Sequence, residues 1–418
     1  MVSIHRPGSP LPSLPRVSTP GTPPGPVAGN TPSTESRTKS QERSTFEPAT
    51  TRAARTDGTS KAQDNDPADD TVVVIDFKKN PLTARGDHGD EVAYVVANSG
   101  NIPASQVRNV GIDIDDDVFG DPDARIDLLT TSFLDNASTE LESLAKTPGK
   151  VQAVNMSMGL SKLSLVKGLL PSREDPVTKQ PLPEESQANA LRGLAEELKL
   201  DVKSLDAKPL EERRMVVAQA LLDRVEQRMK DSKPIQAAKA RYDKATEQLD
   251  KKGIFVVLSA GNEGDTLKAM KDLKLRFNDE VEHSLLFNKR DNVLVIGASD
   301  DAKGIASFST PSKYVFAAMD GTDVKVNADG TTQSGTSYSA PQVAALVAEL
   351  RGKGLSPKQV RSVLQEAAKD TRASRKEEGA GIIDPARVRQ LAAQQARKNE
   401  ANRPRSAMEL KLPVVVRP

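Results

Sequence analysis

The chain contains no cysteine and no tryptophan, and aromatic residues make up 3% of its 418 residues. Without cysteine there can be no disulfide, no thiolate metal site and no cysteine nucleophile. The compartment stays open on this point, because cysteine-free chains fold in reducing and oxidising surroundings alike. So few aromatics argue against the stacking platforms that bind single-stranded nucleic acid. No run approaches the roughly 18 apolar residues of a bilayer-spanning helix. The opening residues Met1 to Gly8 lack an apolar core after their charges, so no secretory signal peptide is expected. The net charge is +1, which gives no global field favouring nucleic acid or an anionic membrane. Histidine is scarce as well: His5, His88 and His283 are the three in the chain.

Residues 1–70 are rich in Pro, Ser, Thr and Gly and poor in large apolar side chains. Such a segment cannot bury enough surface to offset its ordering entropy, and a disordered tail is expected. From Thr71 onward, short β-branched runs alternate with helical segments. Candidate strands are Val72–Asp76, Val110–Ile114, Gln152–Ser157, Ile254–Ser259, Val293–Gly297 and Tyr314–Ala318. That alternation predicts an α/β fold, a mostly parallel sheet with helices on both faces. Ile235, Ala238, Tyr242, Ala245 and Leu249 follow helical spacing, and Gly253 suits the stop of that helix. Within 161–234, Val217, Leu221, Leu222, Val225 and Met229 form one apolar stripe, and Glu185–Leu198 reads as a second helix. The segment after 390 starts as helix and ends in the apolar run Leu410–Val416, a C-terminal tail without identifiable chemistry.

The most informative string is Ser334-Gly335-Thr336-Ser337-Tyr338-Ser339-Ala340-Pro341, which runs into the apolar stretch Val343–Leu350. It places a serine at a helix entry, after a glycine that allows close approach. Unpaired amides at the helix start favour developing negative charge, so Ser337 reads as an activated nucleophile. Pro341 is expected in the first turn or so, where a missing N–H costs little. Upstream, Thr71–Asp76 reads as a buried strand ending in a carboxylate, at the strand end where open α/β sheets keep their sites. His88-Gly89-Asp90-Glu91-Val92-Ala93 opens a helix. Ile254–Ser259 is a strand that runs into Ala260-Gly261-Asn262-Glu263-Gly264.

In this order the strings resemble the subtilisin-like serine proteases, the subtilases. The serine string is similar to the family's Gly-Thr-Ser-x-Ser/Ala-x-Pro, and the histidine string to its His-Gly-x-x-Val-Ala. Val154-Asn155-Met156-Ser157-Met158-Gly159 resembles the strand along which subtilases bind peptide backbone. Gly379-Ala380-Gly381-Ile382-Ile383-Asp384 resembles the family's closing segment. The resemblance spans about residues 71–390. It implies a three-layer subtilisin-like catalytic domain carrying a helical insertion, here taken as a hairpin over about 161–234. It also implies a serine endopeptidase in which Ser337 is the nucleophile, His88 the general base and Asp76 its orienter. Asn262 and the Ser337 backbone N–H would form the oxyanion hole, and Ser157, Met158 and Gly159 would contact substrate. A serine hydroxyl does not ionise unaided near neutrality, an imidazole can take and return its proton, and a carboxylate fixes the tautomer.

Two features depart from the family. Phe77-Lys78 follows Asp76 where Ser/Thr-Gly is usual, and only twelve residues separate Asp76 from His88. Twelve residues can extend about 40 Å, so reach is no obstacle. Asp87 is a rival orienter, and His283 matches no motif. The acidic run Asp113, Asp115, Asp116, Asp117, Asp121, Asp123 fails as an EF-hand loop, because Val118 and Ala124 occupy its glycine and glutamate positions. No catalytic metal or other cofactor is expected for the chemistry, and structural calcium is an open but unsupported option. The expected partners are a polypeptide substrate and, as a candidate restraint, an inhibitor protein in trans. Neither nucleic acid nor membrane is expected. Cytoplasmic residence is the default expectation, with export by a signal-independent route as the alternative. Two other readings share this pattern: a peptide ligase or cyclase, and a catalytically silent scaffold that binds peptides or a partner.

Overall fold

The computed structural model describes residues 70–402, apart from 79–87, 101, 115–119, 176–177, 279 and 301–303. Residues 1–69 of the expected tail, Asp87 and the run Leu410–Val416 lie outside the described residues, while Asp70, the last residue of that expected tail, is buried and paired with Arg108. In chain order the elements are β1 (Val72–Phe77), α1 (His88–Ser99), β2 (Val107–Ile112), α2 (Pro122–Lys146), β3 (Ala153–Met156), α3 (Lys162–Leu169), α4 (Glu184–Glu197), α5 (Val202–Asp206), α6 (Leu210–Asp231), α7 (Lys233–Lys251), β4 (Phe255–Ser259), α8 (Gly264–Asp272), β5 (Val293–Ser299), β6 (Val315–Asp320), β7 (Val324–Lys325), β8 (Thr332–Gln333), α9 (Thr336–Gly352), α10 (Pro357–Glu366), β9 (Ala368–Lys369), α11 (Arg375–Glu378), β10 (Ile382–Ile383) and α12 (Pro385–Ala401).

Eight strands form the main sheet in the order β2-β1-β3-β4-β5-β6-β10-β9. All neighbours are parallel except β9 and β10. This is the three-layer α/β architecture the sequence implies. From β1 the chain first adds a strand on one side and then crosses to the other, so the order reverses between β2 and β3 around β1. A crevice opens beyond the strand ends at such a switch point, and ligands bind there. The carboxyl end of β1 carries Asp76, and Ser157 directly follows β3.

Strand alternation sorts side chains onto two faces. Val73, Ile75, Val154, Met156, Val256 and Leu258 pack with α2, α3, α4, α6 and α7 in one core. Val72, Val74, Ala153, Phe255 and Val257 pack with α1, α9, α10 and α12 in the other. By the same parity Asp76, Ser157 and Ser259 belong to the α1/α9 face. Two helices and three strand ends therefore meet on one side of the sheet.

Five candidate strands lie within two residues of their expected bounds. The exception is β2, which starts three residues earlier. It is an edge strand bonded only to β1 and is mostly half-buried. Arg108 and Asn109 are tolerated there, which erases the apolar pattern. The expected stripe of α7 is buried throughout. Its end is closed by Gly253 N–H to Asp250 O at 2.8 Å and Ile254 N–H to Leu249 O at 3.0 Å, a Schellman pair.

The segment from 161 to 231 is four helices rather than a hairpin. The α6 stripe Val217, Leu221, Leu222, Val225 and Met229 is fully buried in the same core as the sheet residues Val154, Met156 and Leu258, together with Leu191 and Leu194 of α4. The insertion thus extends the domain's own core. At the other end, α12 continues past 390 and buries Leu391 and Ala392 against the α9/α10 side, which moves the end of the packed domain beyond the expected boundary. Among the described residues no helix is long and apolar enough to cross a membrane.

Leu221→Ala should therefore destabilise the whole domain by about 2–5 kcal/mol. Chemical denaturation followed by far-UV circular dichroism should show one shifted transition. A separate early transition, with the main one unmoved, would mean that the insertion folds apart from the sheet.

Candidate active site

Asp76 sits on the last turn of the β1 pleat and His88 is the first residue of α1. Their side chains meet at 2.8 Å, Asp76 Oδ2 to His88 Nδ1, with the two residues 1% and 2% exposed. The other oxygen, Asp76 Oδ1, accepts the backbone N–H of Phe77 at 2.8 Å. A main-chain donor does not depend on residue type, so the unusual Phe77 costs this bond nothing. Its ring packs against Phe133, with centroids 5.8 Å apart. A carboxylate can only accept, so the ring proton lies on Nδ1 and the neutral imidazole presents a lone pair at Nε2. That Nε2 is buried and has no hydrogen-bond partner among the described residues. Such groups are rare in folded proteins.

Ser337 is the second residue of α9, whose cap is Gly335. It is 1% exposed. Its hydroxyl donates to the Ser157 carbonyl at 3.0 Å, and the Ser157 hydroxyl donates back to the Ser337 carbonyl at 2.9 Å. Asn155 Nδ2 donates to the Ser157 hydroxyl at 2.9 Å. The structure thus joins Asp76 to His88, and joins Ser337 to the strand end at Ser157 rather than to His88.

The reciprocal bond explains Pro341. That residue is the sixth of α9, beyond the first turn where the sequence places it. A proline here removes the N–H that would reach the Ser337 carbonyl, four residues back. The Ser157 hydroxyl supplies the missing donor.

Asn262 follows β4 by three residues. Its Oδ1 accepts from the Thr336 backbone N–H and the Thr336 hydroxyl, both at 2.9 Å. This fixes the amide plane against the start of α9. A Cβ on Gly335 would lie 3.1 Å from Asn262 Nδ2, so a side chain there would press on the amide. Gly335, Thr336 and Asn262 are thereby locked to one another beside Ser337. Of the expected substrate residues, Ser157 and Met158 are buried, with Met158 in the sheet core. A side chain added at Gly159 would meet open space.

Several residues around the site escape sequence reading. Tyr338 stacks edge-on to His88, with centroids 5.8 Å apart, and donates its hydroxyl to Glu91 at 2.6 Å, both groups buried. Glu91 lies one turn after His88, which is the only sequence signal it carries. His283 is buried and its Nε2 lies 3.0 Å from Glu263 Oε2. The same oxygen accepts from the Thr310 hydroxyl at 2.9 Å. Burial pushes the Glu263 carboxyl up, but the His283 hydrogen bond and charge and the Thr310 bond outweigh it and hold the group below its ordinary value. No spacing rule links positions twenty residues apart across a helix and the loop that follows it. The described part of the acidic run has protein partners: Asp113 pairs with Lys78, Asp121 caps α2, and Asp123 pairs with Arg224.

Two predictions come from this geometry. Ser157→Ala leaves the Ser337 carbonyl buried beside a proline with no donor, and should cost about 1–3 kcal/mol in thermal or denaturant unfolding. A value under 0.5 kcal/mol would mean that the bond is dispensable. For Glu263 the folded pKa is depressed, so its contribution is complete above its unfolded value and lost as pH falls through the folded one. Stability of Glu263→Gln should therefore decline less steeply than wild type on the acid side, with the difference vanishing at the lowest pH. Parallel acid limbs would contradict this.

The subtilase family model matches residues 62–381. No curated protein matches. Among solved structures, a lanthipeptide protease is 15% identical with a TM-score of 0.40, the match covering 78% of this chain and 88% of that one. The epidermin leader peptide processing serine protease of Staphylococcus aureus is 15% identical at a TM-score of 0.41, covering 78% and 75%. The prenylagaramide maturation protease PagA is 14% identical at 0.41, covering 78% and 95%. Likenesses this loose carry no information about substrate. The family match extends over most of the chain and through every element that meets at the site, and the chain belongs to the subtilase family.

Proposed function

We propose that this protein is a serine endopeptidase that cleaves peptide bonds through an acyl-enzyme on Ser337. The observation that carries the reading is the buried His88 ring, oriented through Nδ1 by Asp76 and left with an unpartnered Nε2 beside the start of α9. In this reading the Ser337 hydroxyl leaves the Ser157 carbonyl and turns to Nε2. Its oxygen attacks the substrate carbonyl carbon while Nε2 takes the proton. Asp76 stabilises the imidazolium. The negative oxygen is met by Asn262 Nδ2 and by the Ser337 backbone N–H at the positive end of α9. Nε2 then gives the proton to the leaving amine, the C–N bond breaks, and the acyl group stays on Oγ. Water, deprotonated by the same nitrogen, releases the acid and restores the serine. The chemistry calls for no metal or organic cofactor. The partner it requires is a polypeptide lying along Ser157, Met158 and Gly159.

One observation favours a second reading, a catalytically silent scaffold: the Ser337 hydroxyl is engaged by Ser157 rather than by His88. A fluorophosphonate separates the two. Wild type should be labelled at Ser337, Ser337→Ala should not be labelled, and His88→Ala should be slowed roughly 10²–10⁴-fold. Mass spectrometry of the modified peptide locates the label. No labelling of folded wild type, or labelling at another serine, would leave the scaffold reading standing.

A further inference from the structure

Asn262 is flanked in sequence by Gly261 and Glu263, and both neighbours are tied to Thr310. The Thr310 N–H donates to the Gly261 carbonyl at 3.0 Å, and the Glu263 N–H donates to the Thr310 hydroxyl at 2.8 Å. The Glu263 carboxylate turns back under the loop to meet that hydroxyl and His283. Gly261 has φ of +102°, and a Cβ there would lie 2.6 Å from Glu263 Oε2, 3.0 Å from Thr310 Oγ1 and 3.5 Å from His283 Nε2. The loop is wrapped directly over this cluster. A carboxylate accepts only, so the His283 proton on this side sits on Nε2 and makes a charge-assisted bond in a buried setting.

His283 is itself held from the far side. Its carbonyl accepts the Lys162 N–H at 3.1 Å, and Ser284 bridges to Ser161. The buried Lys162 ammonium reaches Glu226 of α6 at 2.5 Å and the carbonyls of Asn278 and Val281 at 3.2 and 3.3 Å. Glu226 also accepts the Asn278 N–H, at 3.1 and 3.0 Å, and Gln219 brackets Arg276 by its N–H and carbonyl at 2.8 and 3.1 Å. One face of α6 therefore holds the backbone of Arg276 and Asn278 directly, and through Glu226 it anchors the Lys162 that bonds Val281 and His283.

We propose that the Glu263–His283–Thr310 cluster, set in place by Glu226 of the inserted helix α6, is the positioning device for Asn262. The proposal rests on the reading of Asn262 as the oxyanion donor. His283 touches no reacting atom in this scheme. It acts through Glu263 on the backbone at either side of Asn262, and a donor displaced by about 1 Å can cost about 10²-fold.

The test uses a fluorophosphonate as probe, with the maximal labelling rate kinact and the half-saturation constant KI measured separately for Ser337 of the full-length protein. His283→Ala should lower kinact about 10- to 100-fold with KI within about twofold. His283→Gln keeps a donor for Glu263 and should recover to within about fivefold of wild type. In an Asn262→Ala background, His283→Ala should cost less than about threefold more, because coupled residues are not additive. If His283→Ala does not fold, Thr310→Val, which removes the other donor to Glu263 and the acceptor of its N–H, takes its place in the cycle. Equal losses in both backgrounds, or a His283→Ala variant labelled at the wild-type rate, would overturn the positioning role and leave Asn262 as the donor. If Asn262→Ala alone changes kinact by less than about threefold, the donor reading itself fails and the proposal falls with it.

Discussion

The site depends on the exchange of hydrogen bonds between Ser157 and Ser337. Each hydroxyl donates to the other residue's carbonyl. One half of this exchange is forced by Pro341, which leaves the Ser337 carbonyl without an intrahelical partner. The other half points the serine hydroxyl along the strand end where a peptide is expected to lie. Because the donor to the helix comes from the residue after β3, the entry of α9 cannot shift without the sheet. Asn262, bonded through Thr336 to the same helix entry, follows it. A helix break, a strand terminus and an amide side chain are thus fixed relative to one another.

Parity does the rest. Asp76 shares the sheet face of Val72 and Val74, and α1 packs on that face over β1, so the short interval between Asp76 and His88 is enough. The fold needs neither Ser/Thr-Gly after the aspartate nor a longer loop to bring carboxylate and imidazole together. What the aspartate needs is a main-chain donor for its second oxygen, and any residue except proline at 77 supplies one.

The sequence showed the architecture wherever a physical constraint leaves a periodic trace. Strands buried on both faces are continuous apolar runs, and α7 shows its stripe at helical spacing. The trace fails where burial is one-sided or contacts are few: β2 at the edge, and the two-residue strands β9 and β10. Pro341 lies deeper in α9 than the motif implies, because the donor that compensates for it comes from Ser157, far away in sequence. Asp76 meets His88 at the start of α1, and Asn262 meets Thr336 beside Ser337 at the start of α9. His283 carried no motif, since its role comes from tertiary contact with Glu263 and not from neighbours in sequence.

The two buried acid–histidine pairs show why a histidine beside a carboxylate is an insufficient signal. Asp76 takes Nδ1 of His88 and leaves a buried Nε2 with no partner among the described residues, its lone pair free to take a proton. Glu263 takes Nε2 of His283, and its oxygen is shared with Thr310, so that pair is built into the loop it supports. The first arrangement keeps a lone pair in reserve, and the second spends its donor on structure. The insertion belongs with the second. Its helix α6 buries an apolar stripe in the sheet's own core and turns polar side chains toward the backbone of Arg276 and Asn278. A lid would keep its contacts few and exchangeable. Here the central one is a buried ion pair, Lys162 to Glu226, and the others are directed at main-chain groups, so α6 is part of the frame that gives the loop its shape.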